Sequence, residues 1–211
     1  MKNKLIVEFI GTFFLILTIM MTVNSDLSNF APLAIGAMLM VMVYAGGHVS
    51  GAHYNPAVTL GVWIRGAIKQ KEALAYIVTQ LVAGCAAAHT GLFLLQELGR
   101  GTIETAGAFD FTVGTLAEFL GTFALVWVVL NVATAKANKN NSFYGLAIGF
   151  TVMAGAFIFG PITGGAFNPA VALSISAIGL TSWTNITAFL VGQVLAGSAA
   201  GLIFKQVNPK G

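Results

Sequence analysis

The sequence predicts an all-α membrane protein: six transmembrane helices plus two re-entrant half-helices, arranged as an inverted internal repeat. Three observations carry this expectation. The chain of 211 residues is 57% hydrophobic and only 8% charged, whereas soluble globular domains carry about 25% charged residues. Six apolar stretches approach the roughly 20 residues that cross a bilayer. The second half of the chain repeats the first, motif by motif and in the same order. Little is left over for a soluble domain, so residues 1–211 read as a single transmembrane domain.

The first span, Lys4 to Val23, follows the basic start Met1-Lys2-Asn3-Lys4. Its apolar run is too long for a signal peptide and lacks a small-residue cleavage site, so a retained helix is expected. The second span, Pro32 to Ala45, gives way to the Gly-rich "GGHVSGAHY", which lacks helical periodicity. Asn55-Pro56 then marks a helix start, since Asn is a favoured N-cap and Pro is favoured at the first helical position. The apolar "AVTLGVWI" that follows supports a helix of about ten residues, which rises about 15 Å, half the hydrocarbon core. A half-helix is therefore expected.

The third span is Ala73 to Leu95, and the polar segment Glu97 to Phe111 is the hinge between halves. Val113 to Ala135 and Phe143 to Phe159 are the fourth and fifth spans. "GPITGGAF" then repeats the irregular Gly-rich passage, Asn168-Pro169 repeats the helix start, and "AVALSISAI" repeats the half-helix. Ile186 to Phe204 is the sixth span.

Internal matches make these assignments mutually supporting. "VEFIGTFFL" from Val7 recurs as "AEFLGTFAL" from Ala117, and "LAIG" from Leu33 recurs from Leu146. "GHVSGAHYNPAVTL" from Gly47 answers to "GPITGGAFNPAVAL" from Gly160, and "QLVAGCAA" from Gln80 to "QVLAGSAA" from Gln193. Each half, 1–108 and 109–211, holds three crossings. Because three is odd, the second copy starts from the opposite side of the membrane, so the copies are inverted about an axis in its plane.

Charge sets the orientation. With a cytoplasmic N-terminus, Lys2, Lys4, Arg65, Lys69, Lys71, Lys136, Lys139, Lys205 and Lys210 fall inside and Arg100 alone outside, the positive-inside pattern. Both termini are then cytoplasmic. The net charge of +3 is spread over several segments, which disfavours a polybasic lipid or nucleic-acid site. Cys85 is the single cysteine, so no disulfide forms within the chain.

Irregular backbone at membrane depth is tolerated only where protein buries it or where it lines a water-filled cavity. Two such passages in register point to a lined pore. Glu8 and Glu118, ionisable and inside spans, are functional candidates by default. A proton- or ion-coupled secondary transporter would use them as ion sites, whereas their symmetric pairing favours a structural role. His48 and His53 resemble metal ligands only superficially, because Pro161 and Ala166 stand at the matching positions and no third ligand is present; a backbone-supporting role is expected instead. His89 has no partner in sequence. No nucleophile–base or metal signature appears, so neither an enzyme nor a cofactor is expected. Gly84 with Ala88 and Gly197 with Gly201 suit close helix crossings.

On these residues the chain resembles the aquaporin and glycerol-facilitator family, the major intrinsic proteins. The resemblance covers the whole chain and rests on the repeat, on Glu8 and Glu118, and on paired Asn-Pro-Ala motifs at Asn55, Pro56, Ala57 and Asn168, Pro169, Ala170. It implies half-helices that meet end to end at the midplane with both Asn amides facing a pore. Each half-helix N-terminus carries roughly +0.5 of an elementary charge, which orients water oxygen-first and opposes cations. It further implies an acceptor ladder of the carbonyls of Gly51, Ala52, His53, Tyr54, Gly164, Gly165, Ala166 and Phe167. Glu8, Glu118 and His48 would support the loops, and Leu15 and Leu125 would form pore wall.

The family's selectivity filter maps onto Ile35, Ala156, Gly165 and Val171. Family members commonly carry an aromatic residue and an Arg there, the Arg directly after the second Asn-Pro-Ala. Val171 takes that place, and Ala172 stands where the glycerol branch has Asp. Losing Arg removes a full charge and five donors, so a wide apolar filter is expected. The resemblance thus implies a passive channel for water and small uncharged solutes such as glycerol, urea, ammonia, hydrogen peroxide and metalloid hydroxides. The rival classes are the coupled transporter and a non-conducting structural membrane protein. A homotetramer in membrane lipid is implied, and the compact loops suggest a bacterial inner membrane.

Overall fold

A computed structural model describes residues 1–26, 28–100 and 105–209. Eight helices of that region build the fold: α1 (Lys2–Val23), α2 (Ala31–Ser50), α3 (Pro56–Arg65), α4 (Gln70–Glu97), α5 (Phe111–Val129), α6 (Tyr144–Thr163), α7 (Pro169–Ala177) and α8 (Ile186–Val207). Six of them are long and apolar enough to cross a membrane. The other two, α3 and α7, are the half-helices. The predicted class is the one observed. Lys210 and residues 101–104 of the hinge lie outside the described residues.

The α1 and α8 ends that carry the chain termini define one face of the bundle, and the α4–α5 connection lies at the other. Packing interlocks the repeats. α1 lies against α2 and α4, α5 against α6 and α8, and α2 against α6 across the repeat boundary. Each half-helix also packs on a long helix of the other repeat, α3 on α8 and α7 on α4.

Glycine makes those crossings close. A Cβ on Gly197 would stand 2.6 Å from the carbonyl oxygen of Ala57, and one on Gly84 only 2.4 Å from Ser174 Oγ. The small-residue pairs read from the sequence thus lie under the half-helices. On the outside, Ile6, Ile10, Phe14, Val78, Phe157 and Ile158 are exposed, as a lipid-facing surface requires.

The structure corrects several boundaries. α2 runs to Ser50 and α6 to Thr163, through Gly46, Gly47, Gly160 and even Pro161, where irregular backbone was expected. Within a bilayer an unpaired peptide group costs more than a glycine does in a helix, so the helices persist until another partner is available. Each then ends on a left-handed glycine, Gly51 (φ 89°) or Gly164 (φ 87°), the usual helix-terminating conformation. Only residues 51–54 and 164–167 are irregular.

The fourth span also ends differently. α5 loosens into a π turn, Leu130–Thr134, and Ala135 is extended. Arg65, at the end of α3, donates to Thr134 Oγ1 and to its carbonyl oxygen, both at 2.7 Å. Its guanidinium also lies over the Phe204 ring. This fastens the half-helix to the neighbouring span.

Candidate functional site

The site is the pair of irregular passages, and it is best read by following its backbone N–H groups. In the first passage Gly51 N donates to Gly47 O and Ala52 N to Ser50 Oγ, while His53 N and Tyr54 N donate to the Glu8 carboxylate. In the second, Gly164 N donates to Gly160 O and Gly165 N to Thr163 Oγ1, while Ala166 N and Phe167 N donate to Glu118. All eight N–H groups are engaged on the protein side. The carbonyls carry the acceptor capacity that remains on the backbone.

The two carboxylates are the hubs of this arrangement. Glu8 accepts from Ser50 Oγ, His53 N, Tyr54 N and Gln80 Nε2 at 2.7–3.0 Å. Glu118 accepts from Thr163 Oγ1, Ala166 N, Phe167 N and Gln193 Nε2 at 2.6–3.0 Å. Both are fully buried. A carboxylate offers about four lone-pair sites, and here all are occupied by fixed donors. Neither has a site open to a travelling ion.

The helix that bears each carboxylate also seats the passage. Tyr54 and Phe167 have φ of 51° and 47°, a strained region for bulky residues. Their rings lie on Gly11 and Gly121, where a Cβ would come within 2.2 Å. The spacing Glu-x-x-Gly in "EFIGT" and "EFLGT" therefore places a carboxylate and a ring-sized gap on one face of the helix.

The Asn side chains join the two halves. Asn55 Oδ1 accepts from Ala57 N and Val58 N, and Asn168 Oδ1 accepts from Ala170 N, as N-caps. Asn55 Nδ2 donates to Phe167 O at 2.8 Å, and Asn168 Nδ2 donates to Tyr54 O at 3.0 Å. Each amide has a second N–H left over. The Tyr54 and Phe167 carbonyls of the expected ladder thus each accept one bond across the repeats, and each keeps a second lone pair.

A cavity of about 700 Å³ adjoins these groups. Its lining takes in Asp26, Arg100 and Thr181, the filter positions Ile35, Ala156, Gly165 and Val171, both Asn55 and Asn168, and Leu39, Val129 and Ile148. Leu15 and Leu125 line it, as do all the ladder residues but Gly51. A Cβ on Gly165 would touch Ala156 Cα at 3.4 Å, so these two filter positions are adjacent. Among the described residues, its only charged lining side chains are Asp26 and Arg100, which pair with each other at the mouth.

A second cavity, of about 390 Å³, opens on the termini face and is lined by Gly51, His48, Val43, Val132, Lys139 and Tyr144, among others. His48 thereby departs from expectation. It is exposed on the last turn of α2 and, among the described residues, makes no hydrogen bond to the loop. The reason is that α2 continues past it, so its backbone needs no support. His53 is the buried histidine, with Nδ1 3.1 Å from Thr59 Oγ1.

The repeats differ around the two supporting glutamines. Gln80 bonds both Glu8 and Thr59, while Ala172 and Ala166 stand where Thr59 and His53 would be. Gln193 Oε1 is accordingly buried without a hydrogen-bond partner among the described residues. Sequence reasoning did not single out Ser50, Thr163, Gln80 or Gln193. The signal was present, since both glutamines open the matched "QLVAGCAA" and "QVLAGSAA".

The family model described as Major intrinsic protein matches residues 1–204. Aquaporin NIP1-1 of Oryza sativa subsp. japonica is 36% identical over 207 residues, covering 94% of this chain and 72% of that one. Aquaporin NIP1-3 of the same plant is 39% identical over 210 residues, covering 94% and 71%. The X-ray structure of the aquaglyceroporin from Plasmodium falciparum superposes with a TM-score of 0.76 at 22% identity, covering 97% of this chain and 93% of that one, a likeness of fold.

Proposed function

Since this chain belongs to the major intrinsic protein family and is a passive channel for water and small uncharged solutes, we propose that its conduction path is the 700 Å³ cavity. The observation that carries this reading is the complete engagement of the eight loop N–H groups. It leaves carbonyls on one side, the spare N–H of Asn55 and Asn168 at the centre, and apolar wall from Leu15 and Leu125 opposite. A solute passing through exchanges its water for these groups, and the two half-helix N-termini oppose cations at the same level.

Glu8 and Glu118 act as loop supports, because their acceptor sites are all taken. This disfavours the coupled-transporter reading. No catalytic role is assigned to any residue. Ile35, Ala156, Gly165 and Val171 form a wide, apolar outer filter that admits glycerol, urea, ammonia and undissociated metalloid hydroxides beside water. The solved structure of similar fold belongs to an aquaglyceroporin, which agrees with a glycerol-sized bore.

The protein is an integral membrane protein with both termini cytoplasmic, built as one channel domain from repeats 1–108 and 109–211 and assembled as a homotetramer. The relatives named above are plant proteins and give no support to a bacterial inner membrane. Stopped-flow swelling of proteoliposomes in water, glycerol, urea and arsenous acid tests the reading. Flux above that of empty liposomes is expected, and rates equal to empty liposomes for every solute would overturn it.

A further inference from the structure

The inverted repeat gives the outer filter an image on the termini side. At the register that pairs Asn55 with Asn168, Ile35 corresponds to Ile148, Ala156 to Val43, Gly165 to Ala52 and Val171 to Val58. The four image residues all line one cavity or the other. They form an inner ring, on the opposite side of the Asn pair from the outer filter.

The two rings are unequal. Ile and Val recur unchanged, but Val43 replaces Ala and Ala52 replaces Gly, so the inner ring carries three more side-chain carbons. The cavities report the same inequality independently. The main cavity is lined by all four outer-filter residues and by Ala52, Val58 and Ile148 of the inner ring, whereas Val43 lines the second cavity. No residue lines both cavities, and on α2, α6, the first passage and the end of α5 the two linings meet near the ring. Leu39 and Val43 divide there on α2, Ile148 and Tyr144 on α6, Ala52 and Gly51 on the loop, and Val129 and Val132 where α5 loosens into its π turn. Val43, Ala52, Val129 and Ile148 are buried within one apolar cluster.

We propose that the specificity-determining constriction of this channel is the inner ring of Val43, Ala52, Val58 and Ile148, and not the outer filter. The inference rests on the channel reading above. Apolar constrictions restrict passage by size and by the cost of removing hydration. With Arg absent from the outer ring, the inner ring is the narrowest point a solute meets.

The test converts the inner ring into a copy of the outer one. Ala52→Gly and Val43→Ala are made singly and together, and glycerol and water fluxes are measured in proteoliposomes. Ala52 has φ 51°, a conformation glycine adopts freely, so Ala52→Gly keeps the fold and carries the test even if Val43→Ala inserts poorly. Removing one carbon from a tight apolar site shifts discrimination by on the order of tenfold, and the glycerol-to-water ratio should rise by about that much in Ala52→Gly and further in the double variant. Ala156→Gly, which widens the outer ring, should raise the ratio less than Ala52→Gly does. An unchanged ratio in both Ala52→Gly and the double variant, or an equal rise in Ala156→Gly, would overturn the proposal while leaving the channel reading intact. A wild-type protein that passes no solute would remove both.

Discussion

Asn55 of the first repeat donates its side-chain amide to the carbonyl of Phe167 in the second, 2.8 Å away, and Asn168 returns the bond to Tyr54. Each Asn thus caps its own half-helix with Oδ1 and holds the other passage with Nδ2. The two halves are tied at the centre by groups that also face the path.

Replacing Asn55 by Asp separates these roles. Asp retains the capping oxygen but cannot donate to Phe167 O, and it places negative charge at the pore centre. The expected result is a loss of about 1–3 kcal/mol from the broken buried bond, seen as a lower melting temperature in detergent, together with cation leak in loaded liposomes. Wild-type stability and tightness to cations would contradict it.

Glu118→Gln conserves size and removes acceptor capacity. One carboxylate oxygen becomes a donor facing Thr163, Ala166, Phe167 or Gln193, all of which donate. At about 1–3 kcal/mol for each buried donor left bare, the variant should melt well below wild type and lose solute flux. A variant that retained flux but lost coupling to a proton gradient would instead favour a transporter.

Gly121→Ala tests the seat of the second passage. Its methyl would lie 2.2 Å from the Phe167 ring, and overpacking of this kind costs about 1–3 kcal/mol. Water flux should fall along with stability, because Phe167 carries the backbone of the passage. Gly107→Ala, where a Cβ meets nothing within 4 Å, should change neither.

Ala172→Ser offers a partner to Gln193 Oε1, in imitation of Thr59 beside Gln80. Satisfying one buried polar group is worth about 1 kcal/mol. The melting temperature should rise without a change in solute ranking, and thermal scanning in detergent would show it.

Much of this fold was legible in the sequence because composition, repeat and Asn-Pro pairs each constrain it independently. The helix ends were not, since Gly46, Gly47 and Pro161 read as breakers while the bilayer favours continued backbone pairing. Glu8 and Glu118 could be located as a pair, but their partners Ser50 and Gln80 are set by the folding of three helices around one loop. That the Tyr54 and Phe167 carbonyls accept from the opposite repeat was not legible, because those bonds form only when the two half-helices meet. His48 and His53 look alike in sequence, and only the extra turn of α2 divides them into an exposed and a buried residue.

The most direct test of the channel account is the comparison of Val171→Arg with wild type by stopped-flow light scattering, for water, urea and glycerol in matched proteoliposomes. Arg restores a long charged donor set to the outer filter and makes that ring the narrow one. The account predicts water flux kept or improved, with urea and glycerol flux largely lost. Solute ranking identical to wild type, or flux in either protein that saturates and follows a proton gradient, would contradict it.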